Sequence, residues 1–85
     1  MARVTKITLD VLKPHLPGIL DFATQIAELA ADYRVAIEVI EMDENTESTL
    51  VTIHGDALDL PRIEDVIGSL GGSVHSIDEV EVTGE

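Results

Sequence analysis

The hydrophobic and polar residues of this chain follow two different periods, and its first third shows both. From Val4 to Leu12 apolar residues alternate with polar ones, and this period of two predicts a half-buried β-strand. Pro14, Pro17 and Gly18 interrupt the alternation. From Ile19 to Tyr33 apolar residues return every three or four positions, with acidic and amide residues opposite, which predicts an amphipathic α-helix.

The second half of the chain repeats this sequence of patterns. Val35–Met42 and Thr49–His54 predict two strands of a β-hairpin, joined by a polar turn. Asp59 is placed as the N-cap of a second helix whose apolar stripe runs to Leu70, and two glycines follow it. Val74–Val82 predicts a last strand. Its alternation slips between Ile77 and Val80, which predicts a bulge near Asp78 and Glu79.

The order strand, helix, strand, strand, helix, strand is that of the split βαβ plan, in which two right-handed crossovers interleave. We therefore expect one ferredoxin-like α+β domain over residues 1–85. Its antiparallel sheet has the order 4-1-3-2, and both helices lie on one face. The residues predicted to face the helices are Ile7, Leu9, Val11, Val35, Ile37, Val39, Val51 and Ile53.

The opposite, open face of the sheet then carries a mixed surface. Simple alternation places Ile40, Met42 and Leu50 there, close together beside the hairpin. A contiguous apolar patch on a small domain usually marks a contact surface. We expect these residues to form the interface of a homo-oligomer, because so small a domain has a thin core and edge strands to cover.

Composition narrows the possible functions. The chain has 85 residues, and its 17 acidic and five basic residues give a net charge of −12, yet 45% of the residues are hydrophobic. Such a hydrophobic content excludes a disordered acidic tail. The absence of Cys excludes disulfides, thiol chemistry and cysteine-based zinc sites, and the scattered Lys and Arg disfavour nucleic-acid binding.

No apolar run approaches the roughly 18 residues of a membrane span, so we expect a cytoplasmic protein that contacts no membrane. The acidity fits an organism with a salty cytoplasm, where repulsion between carboxylates is screened.

Two groups of residues are candidate metal ligands. Asp43, Asn45 and Glu47 place oxygen ligands at alternate positions, as the start of a calcium loop does, so Ca²⁺ or Mg²⁺ is the expected ion. The alternative is an ordinary solvated turn. In the second group, the predicted strand order brings Asp10, Lys13 and His15 towards His75 and Asp78, and imidazoles with carboxylates suit zinc, nickel or iron. The alternative is a set of surface polar residues that hydrogen-bond to the ends of the strands.

We find no catalytic constellation in the sequence. Ser73 and Ser76 flank His75, but neighbouring strand residues point to opposite faces and form no relay. We therefore do not expect an enzyme.

Two segments, Leu9–His15 and Gly71–Val80, resemble the best-marked parts of a small archaeal family, domain of unknown function 211. The resemblance extends over about Val4 to Val82. It implies a ferredoxin-like fold and ring-shaped homo-oligomers, and it implies no known activity. The marked polar residues of the family match Asp10, Lys13, His15, Ser73, His75, Ser76, Asp78 and Glu79 here.

A second resemblance offers an alternative function. Leu16–Leu20, ahead of an amphipathic helix, is similar to the strand-to-helix turn of ACT regulatory domains, which bind amino acids near that turn. This resemblance implies a small-metabolite site at Lys13, Pro17 and Gly18. The expected function is therefore self-assembly with carboxylate-bound divalent cations, and the alternative is an ACT-like regulatory module.

Overall fold

The computed structural model describes residues 1–84, which form four strands and two helices in the predicted order. The elements are β1 (Arg3–Pro14), α1 (Ile19–Ala27), β2 (Arg34–Met42), β3 (Thr46–His54), α2 (Leu60–Ser69) and β4 (Ser73–Thr83).

The strands form one antiparallel sheet in the order β2-β3-β1-β4, which is the predicted order read from the other edge. β1 and β3 are central, and β2 and β4 are the edge strands. The apolar residues of both helices join one core on one face of the sheet. The prediction of a ferredoxin-like α+β fold is therefore confirmed.

The core lies where the alternation of β1 and β3 placed it. Ile7, Leu9, Val11, Val51 and Ile53 are buried, and they pack against two residues from each helix. The helix residues are Phe22, Ile26, Ile63 and Ile67. The corresponding residues of β2 are half-buried, because β2 is an edge strand.

Three element boundaries differ from the prediction by more than one residue. α1 ends at Ala27, and the expected last turns are replaced by tighter ones in which the Tyr33 N–H donates to the Ala30 carbonyl. Tyr33 still reaches the core, and its hydroxyl accepts a hydrogen bond of 2.8 Å from the Asp59 N–H. β1 continues through Pro14, which pairs with Thr46, so the polar start of β3 is strand rather than turn.

Bulges change the faces that the edge strands present. The register of β4 against β1 shifts at Asp78, which confirms the predicted bulge, and shifts again at His75. Thr5 is an extra residue of β1 in the same ladder. Ile40 is an extra residue of β2. After each bulge, the residues of that strand lie on the opposite face from the one that simple alternation predicts.

α2 begins and ends as its sequence predicts. The Asp59 side chain accepts a hydrogen bond from the Arg62 N–H at 3.2 Å, and Gly71 ends the helix with φ +88°. Gly72 lies so close to the core that a Cβ there would be 2.8 Å from Ile67 and 2.9 Å from Phe22. Neither helix of the described chain has the length and apolar character that crossing a membrane requires.

Candidate functional site

A buried charge lies at the end of β1. The alternation that buries Leu9 and Val11 also places Lys13 on the helix face, where it is 1% exposed. Its Nζ donates to the Pro14 carbonyl at 2.7 Å and to Glu47 Oε1 at 3.2 Å. The Phe22 ring centroid is 5.5 Å from Nζ, a cation–π distance. The ammonium is therefore neutralised and hydrogen-bonded, as a buried charge must be.

Glu47 is positioned by the register of the two central strands. It pairs directly with Lys13 across the β1–β3 ladder, so both side chains lie on the same face. Its second oxygen, Oε2, accepts a hydrogen bond of 3.0 Å from His15 Nδ1. The hydrogen bond from His15, followed by that from Lys13, holds the pKa of Glu47 below its ordinary value. Glu47 is therefore an ionised carboxylate shared by two cations.

His15 has only hydrogen-bond acceptors around it. Its Nε2 donates to the Asp43 carbonyl at 2.9 Å and to the Glu44 carbonyl at 3.0 Å. Since Nδ1 also faces a carboxylate, the protonated ring, an imidazolium, can donate from both nitrogens. The Glu47 hydrogen bond, then the Glu44 carbonyl, raise the pKa of His15 above its ordinary value. The ring thereby ties the end of β1 to the β2–β3 turn.

The Lys13–Glu47–His15 cluster is closed to chemistry on a substrate. The Lys13 side chain is fully buried, and the Glu47 side chain is 9% exposed with both oxygens engaged. An imidazolium with both N–H groups donated cannot accept a proton as a general base. The arrangement can stabilise the fold and respond to pH, and it offers no free nucleophile or base.

The same cluster uses groups that were predicted to bind a metal ion in the hairpin turn, at Asp43, Asn45 and Glu47. Glu47 faces Lys13 and His15 rather than the turn, and the carbonyls of Asp43 and Glu44 already accept from His15. The His15 imidazolium therefore occupies these oxygens as a cation would. Within residues 1–84, no three His, Asp or Glu side chains are grouped so as to hold a metal ion.

The second predicted group of metal ligands is spread over the two sides of β1. His15 bonds to β3 and to the β2–β3 turn, whereas His75 lies on β4, on the other side of β1. Asp10 pairs with Ser76 in the ladder. The Ser76 hydroxyl donates to Asp78 at 2.5 Å. The expected approach of His15 to His75 is therefore wrong, because His15 turns towards Glu47. Binding of a divalent cation stays a prediction.

The turn between β1 and α1 lacks two features of the ligand site that the ACT resemblance implies, an available Lys13 and a need for glycine at residue 18. Lys13 is buried, and its ammonium is engaged with Glu47 and with the Pro14 carbonyl. Gly18 has an extended backbone at the start of α1, and a Cβ there would meet no atom within 4 Å. No close contact with the described residues requires glycine at this position. A ligand site at Lys13, Pro17 and Gly18 stays a prediction.

The predicted interface residues do not form one patch on the open face. Met42 pairs with Glu47, so it lies on the helix face, and its placement beside Leu50 on the open face is wrong. The cause is the Ile40 bulge, which shifts the register after Val39. Leu50 lies on the open face between Asp10 and Glu38 and is half-buried. Ile40 and Met42, the β2 end patch, are 56% and 63% exposed.

A second apolar surface lies on β4. Ile77, Val80 and Val82, here the β4 strip, pair with Leu9, Ile7 and Val4 and therefore share the helix face. They are about half exposed, whereas Val74 of the same strand packs against the core. The ten residues of α2 span about 15 Å, and the 11 residues of β4 span about 36 Å, so α2 cannot cover the strand. The slip in alternation marked these residues as a bulge, and the sequence carried no sign that they lie uncovered.

Two comparisons place the chain among known proteins. Residues 5–85 match the family model of DUF211, described as "Uncharacterized ArCR". An uncharacterized protein of Methanocaldococcus jannaschii, MJ0319, is 48% identical over 80 residues, a match that covers 94% of this chain and 82% of that protein. Both confirm the resemblance found from the sequence, and neither description names an activity, a ligand or an assembly.

Proposed function

The chain belongs to the DUF211 family, and we propose that it acts by binding copies of itself rather than by catalysis. The observation that carries the proposal is the pair of exposed apolar surfaces, the β4 strip and the β2 end patch. They lie on the two edge strands of the sheet, at opposite sides of the molecule. Exposed apolar residues grouped in this way are typical of contact surfaces.

The placement of the two surfaces favours an assembly larger than a dimer. A two-fold dimer uses the same patch on both subunits, whereas two different patches on opposite edges suit a head-to-tail contact. Such a contact gives a ring when the rotation between neighbours closes. We therefore propose a ring-like homo-oligomer in which the β4 strip of one copy meets the β2 end patch of the next.

The net charge makes this association depend on salt. Each copy carries a charge of −12, so neighbouring copies repel one another. The Debye length is about 10 Å at 0.1 M salt and about 3 Å at 1 M, so molar salt screens the repulsion. Apolar burial is not weakened by most salts. Divalent cations that bridge carboxylates of adjacent copies would partly replace the monovalent salt.

The closed Lys13–Glu47–His15 cluster supports the non-enzymatic part of the proposal. It contains the two buried charged side chains of the described residues, Lys13 and Glu47, and these are hydrogen-bonded to each other. The ACT-like alternative has the turn sequence in its favour. Its test is a thermal-shift screen with amino acids, in which a ligand at about 100 times its Kd adds about 2.7 kcal/mol of stability.

Light scattering or native mass measurement across a salt series tests the self-association. We expect the unmodified chain to form an oligomer larger than a dimer in molar salt and to dissociate at low salt. Val80→Glu places a carboxylate in the β4 strip and should give a monomer at every salt concentration. Gln25→Glu, which adds the same charge at an exposed position of α1, should assemble as the unmodified chain does.

Each outcome separates one part of the proposal from another. A monomer at every salt concentration for the unmodified chain contradicts self-association. A salt-insensitive oligomer contradicts only the electrostatic argument. Equal assembly of Val80→Glu and Gln25→Glu, with both variants folded by circular dichroism, contradicts the role of the β4 strip.

A further inference from the structure

Basic side chains form a row across one end of the open face. Arg34 pairs with His54 across the β2–β3 ladder, and His54 pairs with Lys6 across the β1–β3 ladder. Ile7 and Ile53 next to them are buried beneath the helices, so this row points to the opposite face. The row gathers two of the five Lys and Arg residues of a chain that has 17 acidic ones. Such a grouping is unexpected in so acidic a protein.

The two Lys and Arg side chains of the row differ in whether an acidic side chain neutralises them. Lys6 forms an ion pair of 2.9 Å with Glu79. Arg34 is exposed, and its guanidinium forms no ion pair with any carboxylate of the described residues. Two basic side chains that lie directly opposite each other on a sheet gain nothing from the pairing. Glu79 lies close enough to His54 for their charges to interact, so the side chain that lacks an acidic partner among the described residues is Arg34. An anion bound between Arg34 and His54 would supply that partner.

A hollow lies at this position. It has a volume of about 220 Å³ and is lined by Arg34, Val35, Ala36 and His54. The small side chain of Ala36 leaves room on the open face next to the guanidinium. Thr52 pairs with Ala36, and its hydroxyl is 3.3 Å from that of Thr8. The hollow therefore combines the Arg34 guanidinium with the His54 imidazole, and the two hydroxyl groups, bonded to each other, lie outside its lining.

We propose that this hollow binds a small oxyanion, the phosphate or carboxylate group of a metabolite. The Arg34 guanidinium presents parallel N–H donors that match two oxygens of such a group, and the His54 ring adds a third donor. The surrounding charge restricts the ligand to a small one. Glu38 and Asp10 lie further along the same face, and they repel an extended polyanion such as nucleic acid.

The site is separate from the proposed self-association. The β4 strip and Met42 lie on the helix face, whereas Arg34 and His54 lie on the open face at the other end of β2. A monomer should therefore bind the anion, and Val80→Glu is the variant expected to provide one.

Titration of the full 15N-labelled chain with inorganic phosphate at low ionic strength tests the proposal. We expect saturable changes in the amide shifts of residues 34–36 and 52–54. Arg34→Gln should weaken binding about tenfold or more, since it removes a charge-assisted contact. Arg62→Gln is the matched control, because it removes the same charge from an exposed position of α2 and should change affinity less than about twofold.

A parallel titration with acetate distinguishes the two sources of the oxyanion. Saturation by phosphate alone assigns the site to phosphorylated ligands, and saturation by acetate assigns it to carboxylates. Shifts that never saturate with either anion, or an equal loss of affinity in Arg34→Gln and Arg62→Gln, would overturn the proposal. Urea denaturation of each variant establishes that a lost affinity is not a lost fold.

Discussion

The two ends of the sheet place a positively charged side chain in opposite environments. At one end Lys13 is buried on the helix face and engages Glu47 and the Pro14 carbonyl. At the other end Arg34 lies on the open face without an ion pair among the described residues, beside a hollow. A buried charge whose hydrogen-bond and ion-pair partners lie within the protein contributes to the stability of the fold. A charge left unsatisfied at a surface with room beside it is available to something from outside. The comparison predicts that substitutions at the two ends affect different properties.

The largest effect on stability is expected at the buried end. Glu47→Gln leaves the Lys13 ammonium buried without its counter-charge, and breaking a buried pair in this way costs about 3 kcal/mol. Urea denaturation should show this loss in the free energy of unfolding. Glu44→Gln removes a charge from the same turn, where only the backbone carbonyl of Glu44 contacts the cluster, and should be nearly neutral. Equal losses in the two variants would show that Glu47 is not the partner that matters.

A smaller effect is expected from pH, through His15. Because the pKa of Glu47 is lowered, its contribution is complete above its ordinary value of 4.5 and is lost as pH falls through the lowered pKa. Because the pKa of His15 is raised, its contribution is complete below its ordinary value of 6.5 and is lost as pH rises through the raised pKa. The cluster therefore stabilises most between about pH 4.5 and 6.5.

Two variants separate this effect from the general charge of the chain. NMR titration should find that the His15 ring loses its proton above pH 6.5. His15→Gln should remove part of the decline in unfolding free energy above that pH. His75→Gln, at an exposed position of β4, should retain the full decline. An identical pH profile for the unmodified chain and His15→Gln would refute the role of the imidazolium.

The smallest effect on stability is expected at the open end. Arg34→Gln should change the free energy of unfolding by less than about 0.5 kcal/mol, because the side chain is exposed and forms no ion pair with residues 1–84. Urea denaturation in phosphate-free buffer measures it. A loss comparable to that of Glu47→Gln would mean that Arg34 supports the fold, and the contrast between the two ends would fail.

Local patterns in the sequence account for most of the fold. Alternation in β1 and the apolar stripe of α2 placed the core residues correctly, and the slip after Ile77 located the bulge at Asp78. The Asp59 cap was also predictable, since its partner is three residues away. These signals succeed because each depends on neighbours along the chain.

The candidate sites depended on contacts that sequence patterns do not contain. The sequence predicts a polar turn at residues 46–48. These residues instead extend β3, because β1 continues beside them as far as Pro14. Glu47 therefore lies opposite a buried lysine 34 positions earlier. Ile40 gave no sign of the bulge that moves Met42 to the other face. Long-range register decides each of these positions, and no local period encodes it.

The irregular ladder between β1 and β4 has a consequence for the addition of further strands at the β4 edge of the sheet. An outer strand with a regular row of free backbone groups is a template on which further chains can add without limit. The extra residues at His75 and Asp78 break that row twice within one strand. A new strand would find no continuous match along β4. In the proposed assembly, copies would meet through the side chains of Ile77, Val80 and Val82 in a bounded contact, while open-ended growth along the backbone is discouraged.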